Sequence, residues 1–363
     1  MSINKKKTGG KVISMFSEKT QHVVDPLKLL TKNSKCNLKY NKDVPEYTCF
    51  DKETLYKLIV TYNQVFCNNK SKRCWILKKI PLKDENGKKY SQKELYNMLK
   101  QKLTKYKKQY NDESFWFKIK EFNNVLKNKE DLFATKMPTE WCKDVELWRK
   151  QNIDAPWLSN FDIDNVLEQY EHKYTKFKFL GSNPIDFSNK FIGGIPMCVL
   201  DIFSNNKSWV TANTNNNKCS FNPKIYKDKT CYGLVLNTDD HKGSGKHWMG
   251  LYFNLDKRVI LFFDSACTFP DLHDEVKAFI KDIQNQYKHI NFKVKHNTVQ
   301  HQQSNSECGM YSIYFILSMV DADNTTGYSS IKIFDEYFNN KDKILEDQLM
   351  LDYRFKLFIS KCN

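Results

Sequence analysis

Apolar residues recur at helical spacing in two early stretches. Over about 51–68, Leu55, Leu58, Ile59, Tyr62 and Val65 share one face, which predicts a first helix. After a turn-rich break at 81–89, Ser91 and Glu94 form a capping box that predicts the start of a second. Leu95, Met98, Leu99, Leu103 and Tyr106 continue it, with lysines opposite. Further on, Ser159 or Asn160 can cap a helix carrying Ile163, Val166, Leu167 and Tyr170. The pattern then changes. The apolar run 195–203 reads as a buried strand, 204–217 as an Asn-rich loop, and 233–237, 247–253 and 258–263 as strands. A helix carrying Leu272, Val276, Phe279, Ile280, Ile283 and Tyr287 follows, then a strand over about 291–299. A strongly apolar helix opens near Cys308, and a last helical region runs from about 329 to 360.

Charge divides this series. Residues 1–150 hold 34 Lys and Arg against 17 Asp and Glu, a net of +17, while the rest of the chain nets −1. The boundary is therefore expected near 150: a polar segment 1–45, a basic, mainly helical, arm-like domain 46–150, and a second domain 151–363. The basic part reads either as a solvated lysine-rich surface or as a footprint for DNA or an acidic partner. No apolar stretch is long enough to cross a bilayer, so no membrane insertion is expected. The 11 cysteines are odd in number and irregularly spaced, without a CxxC pair. That spacing argues against a disulfide framework and a structural zinc site, and for a reducing compartment.

The chemistry gathers between 233 and 320. If 254–257 links the strands 247–253 and 258–263, then 253 pairs with 258 and His247 lies directly across from Asp264. A carboxylate there can accept the imidazole proton and fix the ring. A turn one residue longer or shorter would change that register. Cys308 stands at the start of the apolar helix, where the helix dipole and a nearby imidazolium both favour thiolate. Backbone N–H groups at that terminus can bind a developing oxyanion, with a side-chain amide just upstream as a second donor. Gly309 is expected to leave room for substrate backbone. Each piece also has a plain structural reading, as a buried thiol, a strand histidine, a strand-ending turn and a surface loop. A metal site built on His296, His301 and Cys308 fits no standard ligand spacing.

With these residues in view, the chain resembles the SUMO and ubiquitin-like-protein proteases and their viral relatives, among them the adenovirus, African swine fever virus and poxvirus enzymes. The resemblance spans about 155–320. Trp157, Leu158, Ser159 and Asn160 are similar to the family's block before a helix. His247-Trp248, Asp264-Ser265 and Gln302 through Cys308-Gly309 follow in the family's order. It implies an α+β, papain-like core: a central mixed sheet flanked by helices. It also implies Cys308 as nucleophile, His247 as base, Asp264 as orienting acid and Gln302 as oxyanion donor, with Gln303 a competitor one position on. Trp157 and Trp248 would flank a narrow tunnel admitting a Gly-Gly-like backbone, or else are core aromatics.

The function expected from this resemblance is a cysteine endopeptidase cleaving after small residues, without metal or organic cofactor. The wording of 157–160, 179–187 and 305–309 is closest to enzymes of large cytoplasmic DNA viruses, which process structural polyproteins during virion maturation. The virion and the host cytoplasm are the locations that kinship implies. Two alternatives stand beside it: an isopeptidase acting on SUMO or ubiquitin conjugates, and a basic nucleic-acid-binding structural protein. Of the two Gly-Gly pairs, Gly9-Gly10 and Gly193-Gly194, the first would be a self-cleavage site.

Overall fold

The computed structural model describes residues 36, 48–67, 74, 76, 90–111, 113–127, 129, 155–189, 210–212, 219–222, 225–268, 271–324 and 328–358. The apolar run 195–203, most of the Asn-rich loop, the 81–89 break and both Gly-Gly pairs lie outside them.

The described N-terminal residues form two long helices, α1 (Lys52–Phe66) and α2 (Gln92–Thr104), followed by short 3-10 turns between Lys108 and Phe122 and a single α-helical turn, Asn123–Leu126. Asp51 caps α1, and the Ser91–Glu94 capping box opens α2 as expected. Leu55, Leu58, Ile59, Leu95, Leu99 and Leu103 pack with Trp116 and Phe122 in one core. Val65 and Tyr106, placed on the apolar faces by spacing, are instead 48% and 43% exposed. Val65 lies in the last turn of α1, and Tyr106 lies past the end of α2, its ring near Tyr62 and Phe66. Glu113 is buried, and its carboxylate accepts the Cys49 N–H at 2.9 Å and the Thr48 hydroxyl, tying the entry of α1 to the 3-10 turns.

The expected absence of disulfides does not hold. Cys36–Cys49 and Cys67–Cys74 are both bonded, and Cys219 is also disulfide-bonded. Irregular spacing hid them: the intervals of 13 and 7 residues fit no recognisable cysteine framework. The reducing-compartment expectation thereby loses the cysteine argument it rested on.

The C-terminal part is a five-stranded mixed sheet in the order β1-β4-β5-β6-β7, with a separate β2-β3 pair (Val210–Ala212 and Cys219–Phe221). The strands are β1 (Phe177–Pro184), β4 (Cys231–Asn237), β5 (Trp248–Asn254), β6 (Val259–Phe263) and β7 (Lys293–His296). The outer pairings are parallel and the two inner ones antiparallel. β4 and β6 are buried at every position, because helices cover both faces. Alternation sorts their side chains. Val235, Tyr252, Leu261 and Phe263 face one core with α3 (Asn160–Leu167), α5 (Cys308–Asn324) and α6 (Asp347–Leu357). Leu234, Leu251, Ile260 and Phe262 face the other core, with α4 (Asp274–Gln286).

Two glycines set how closely α5 approaches the sheet. A β-carbon on Gly250 would lie 2.6 Å from Phe315, and one on Gly233 2.8 Å from Ile316. Only glycine permits this contact, which seats the middle of α5 closely on β4 and β5. The last helical region is not continuous: a turn over Ser330–Ile333, a π-helical turn over Phe334–Phe338 and then α6.

Candidate active site

The β5–β6 hairpin carries two of the candidate residues, in a register other than the expected one. Asn254 pairs with Val259 and Phe253 with Ile260. The side chain of Asn254 accepts the Lys257 N–H at 3.0 Å, and Arg258 takes a left-handed φ of 58°, so the turn is 255–258. The pairing is displaced by two residues from the one that put His247 directly across from Asp264. An even displacement keeps both side chains on the same face and makes them diagonal neighbours. The meeting survives: His247 Nε2 donates to Asp264 Oδ1 at 2.6 Å.

Both residues sit just past the ladder, where loops hold them. Asp264 Oδ1 also accepts the Ala266 N–H at 3.0 Å and Oδ2 the Thr268 N–H at 2.9 Å. Asn297, at the end of β7, grips the Asp264 backbone from both sides: its Oδ1 accepts the Asp264 N–H at 2.8 Å and its Nδ2 donates to the carbonyl at 2.7 Å. Burial pushes the Asp264 carboxyl up, but His247 and these N–H donors outweigh it and hold it below the usual range.

Cys308 begins α5 and is 3% exposed. The His247 ring interacts with this side chain, which helps to raise the ring's basicity. Nε2 being committed to Asp264, the remaining ring nitrogen, Nδ1, serves the sulfur. Burial lowers the basicity of His247, yet its interactions with Asp264 and Cys308 raise it to about 9. The ring is therefore an imidazolium at neutral pH, poised between a carboxylate and a thiol.

Gln302 and Gln303 separate clearly. Gln302 is buried, and Ser265, the residue after Asp264, holds it: the Ser265 hydroxyl donates to Gln302 Oε1 at 2.7 Å, and the Ser265 carbonyl accepts the Gln302 N–H at 2.9 Å. Its Nε2 donates to Ser304 O at 2.7 Å. Gln303 is exposed, and its backbone N–H goes to Asp347. His301 donates from Nε2 to Phe338 O and accepts the Leu345 N–H at Nδ1, both at 3.0 Å, so its ring fixes the C-terminal segment and has no nitrogen left for a metal.

Trp157 is 52% exposed, while Leu158 beside it is buried. The Trp248 indole N–H donates to Leu158 O at 2.9 Å, so Trp248 fastens the 155–159 segment to the head of β5. Gly309 does not open space for substrate as expected. A β-carbon there would meet Leu158 at 3.0 Å, so the glycine lets Leu158 pack on the start of α5. Ser265 and Asn297 are positioning groups that the sequence reading did not assign. Asp264-Ser265 was visible as a pair, but Asn297 carries no motif and is placed only by the parallel β6–β7 pairing. A surface cleft of about 570 Å³ lies along the β4–β5 loop, lined by Thr238, Asp239, Lys242 and Lys246, and does not include Cys308.

A buried thiol at a helix N-terminus, beside an imidazole that a carboxylate orients, is the arrangement of a cysteine peptidase. Residues 195–349 match the model of the Ulp1 protease family, C-terminal catalytic domain. African swine fever virus (isolate Pig/Kenya/KEN-50/1950) has a relative described as a SUMO-1 cysteine protease, 28% identical over 185 residues. The match covers 49% of this chain and 63% of that relative, less than two thirds of its length. A protein of Acanthamoeba polyphaga mimivirus named as a candidate thiol protease is 25% identical over 170 residues, covering 46% of this chain and 49% of the other. The crystal structure of an African swine fever virus protease aligns at TM-score 0.48 and 19% identity, over 92% of this chain and 98% of that one.

Proposed function

We propose that this chain is a cysteine endopeptidase that cleaves after small residues of a Gly-Gly-X type, with Cys308 as nucleophile. The observation that carries the reading is the Cys308–His247–Asp264 relay, in which one ring joins a buried thiol to a buried carboxylate at 2.6 Å. In the proposed reaction Cys308 attacks as the thiolate of a thiolate–imidazolium pair, its proton already held by His247; the sulfur bonds to the substrate carbonyl carbon and the carbonyl π pair moves onto oxygen. Backbone N–H groups at the start of α5 and the second N–H of the Gln302 amide are the donors for that oxygen. His247 then gives its proton to the leaving amine, a thioester forms, and water attacks it with His247 as base. Asp264 holds the ring, Ser265 holds Gln302, and Trp157 offers the exposed wall against which a substrate backbone lies.

The proposed substrates are viral structural polyproteins, a reading supported by kinship with enzymes of large DNA viruses. SUMO conjugates are the second candidate, favoured by the similarity to the African swine fever virus SUMO-1 cysteine protease. Basic residues 1–150 are proposed to bind an acidic partner such as DNA. The test compares wild type and Cys308→Ala on a Gly-Gly-X peptide, a structural polyprotein and a SUMO conjugate. Cleavage is expected to vanish in the variant while the fold is kept. An electrophilic Gly-Gly peptide should label Cys308 alone. Cleavage by the alanine variant at a comparable rate would end the proposal.

A further inference from the structure

We propose that Arg354 is a positioning residue for the chemistry at Cys308, its guanidinium pinning the nucleophile loop to the segment that leads into Trp157. The inference rests on the peptidase reading above. Arg354 lies in α6 and is completely buried. A guanidinium is excluded from an interior unless its donors are matched, so its partners reveal what it is there to hold. Nη1 donates to Pro156 O at 2.6 Å. Nη2 donates to Glu307 Oε2 at 3.1 Å and to Ser306 O at 3.4 Å, and Nε donates to Glu307 Oε2 at 3.3 Å. Ser306 and Glu307 are the two residues before Cys308, and Pro156 is the residue before Trp157. One rigid fork from a distant helix thus spans the two segments that frame the sulfur.

The choice of arginine follows from that span. A lysine ammonium could reach one of these oxygens, but only the planar fork can bond a carboxylate and backbone carbonyls on two segments at once. Charge adds a second reason. Glu307 is buried directly beside the nucleophile. Burial pushes its carboxyl up, Arg354 and the Ser306 hydroxyl draw it back, and Asp347 at the head of α6 pushes it up again. Tyr311, one turn into α5, gives its hydroxyl to Asp347 at 3.0 Å, and His247 faces the sulfur from the sheet. Arg354 is the cation paired with Glu307. Without it an uncompensated carboxylate would adjoin a sulfur that must carry negative charge to react.

The experiment uses full-length Arg354→Met, Arg354→Lys and the double variant Glu307→Gln/Arg354→Met. It reads kcat and KM on a Gly-Gly-X peptide, normalised to folded protein, and the pH profile of Cys308 alkylation by iodoacetamide. Arg354→Met is expected to lower kcat by about 10²-fold, the effect of misplacing a reacting atom by about 1 Å, with KM little changed. Its alkylation profile is expected to move to higher pH. Arg354→Lys should recover only part of kcat. The double variant should return the alkylation profile toward wild type, its carboxylate gone, while kcat stays low because the link to Pro156 is still missing. Wild-type kcat and alkylation in folded Arg354→Met would overturn the proposal. If that variant does not fold, wild-type kcat in the double variant would do so. Failure of the peptidase reading would look different: wild type would cleave nothing, while Cys308 alkylation would still depend on Arg354.

Discussion

The two ends of this molecule are held together by different means. The N-terminal helices α1 and α2 share a small core, a buried glutamate and two disulfides. The sheet has apolar layers on both faces, and its polar groups concentrate at one edge, where His247, Asp264, Gln302 and Cys308 meet the loop ends. A small helical unit buries too little surface to be secure, and covalent links supply what its core lacks. The sheet has burial to spare, and can keep buried charges such as Asp264, Glu307 and Arg354 where chemistry needs them. The contrast separates a part whose polar groups hold structure from a part whose polar groups are poised to react.

The sharpest test of that contrast is pH. His247 is raised to about 9, above an ordinary histidine, so its contribution to stability is complete below the ordinary range and is lost as pH rises through about 9. Asp264 is lowered, so its contribution is present above the ordinary carboxylate range and is lost as pH falls through its depressed value. The charged pair is intact between those limits. Cleavage is expected to fall above about pH 9, by about tenfold per unit, as the imidazolium deprotonates. The described N-terminal residues include no histidine. Hydrogen exchange of α1 and α2, after correction for the intrinsic rate, should change less than kcat over the range in which cleavage collapses. A parallel loss of protection in both parts would break the comparison.

How much of this was legible in the sequence differs between the same two regions. The capping box at Ser91, the stripe through Leu99 and the apolar start of α5 were readable because local spacing alone determines them. His247, Asp264 and Cys308 were readable as candidates because a hairpin and a helix start bring them together under simple geometric rules. The hairpin register was wrong by two residues, since the Asn254 side chain closes a turn that strand patterning does not reveal. The even error left the His–Asp pair on one face, which is why the site emerged from a wrong pairing. Asn297 and Arg354 carry no local signal: one is delivered by a parallel strand and the other by a helix far along the chain. The disulfides were missed because a cysteine interval of 13 residues carries no local signal of pairing.

Removing a bridge sharpens the comparison from the other side. The Cys36–Cys49 link closes a separation of 13 residues, for which loop-closure entropy gives about 3 kcal/mol. Cys36→Ser with Cys49→Ser should lower the stability of the N-terminal helices by roughly that amount, read by hydrogen exchange in α1 and α2. Cleavage of a short peptide should be unchanged, because the four catalytic candidates lie in the sheet region. If peptide cleavage fell in step with N-terminal protection, the arm would belong to the site.

The smallest expected effect comes from a matched pair of caps. Ser91 and Ser159 open α2 and α3 with the same reciprocal box: each serine N–H donates to an acidic side chain three residues on, Glu94 at 2.7 Å and Asp162 at 2.8 Å, and each hydroxyl accepts that residue's N–H. Replacing either by alanine should cost its helix about 1 kcal/mol. The local chemistry is the same, so the local losses should agree within experimental error. Their functional consequences should not. Ser159 follows Trp157 and Leu158, whose placement depends on where α3 begins, and Leu158 packs on Gly309 beside the nucleophile. Ser159→Ala should therefore raise KM for a Gly-Gly-X peptide, while Ser91→Ala leaves it unaltered. Equal KM values in the two variants would mean that the α3 entry is scaffold, and that the exposed Trp157 face takes no part in holding substrate.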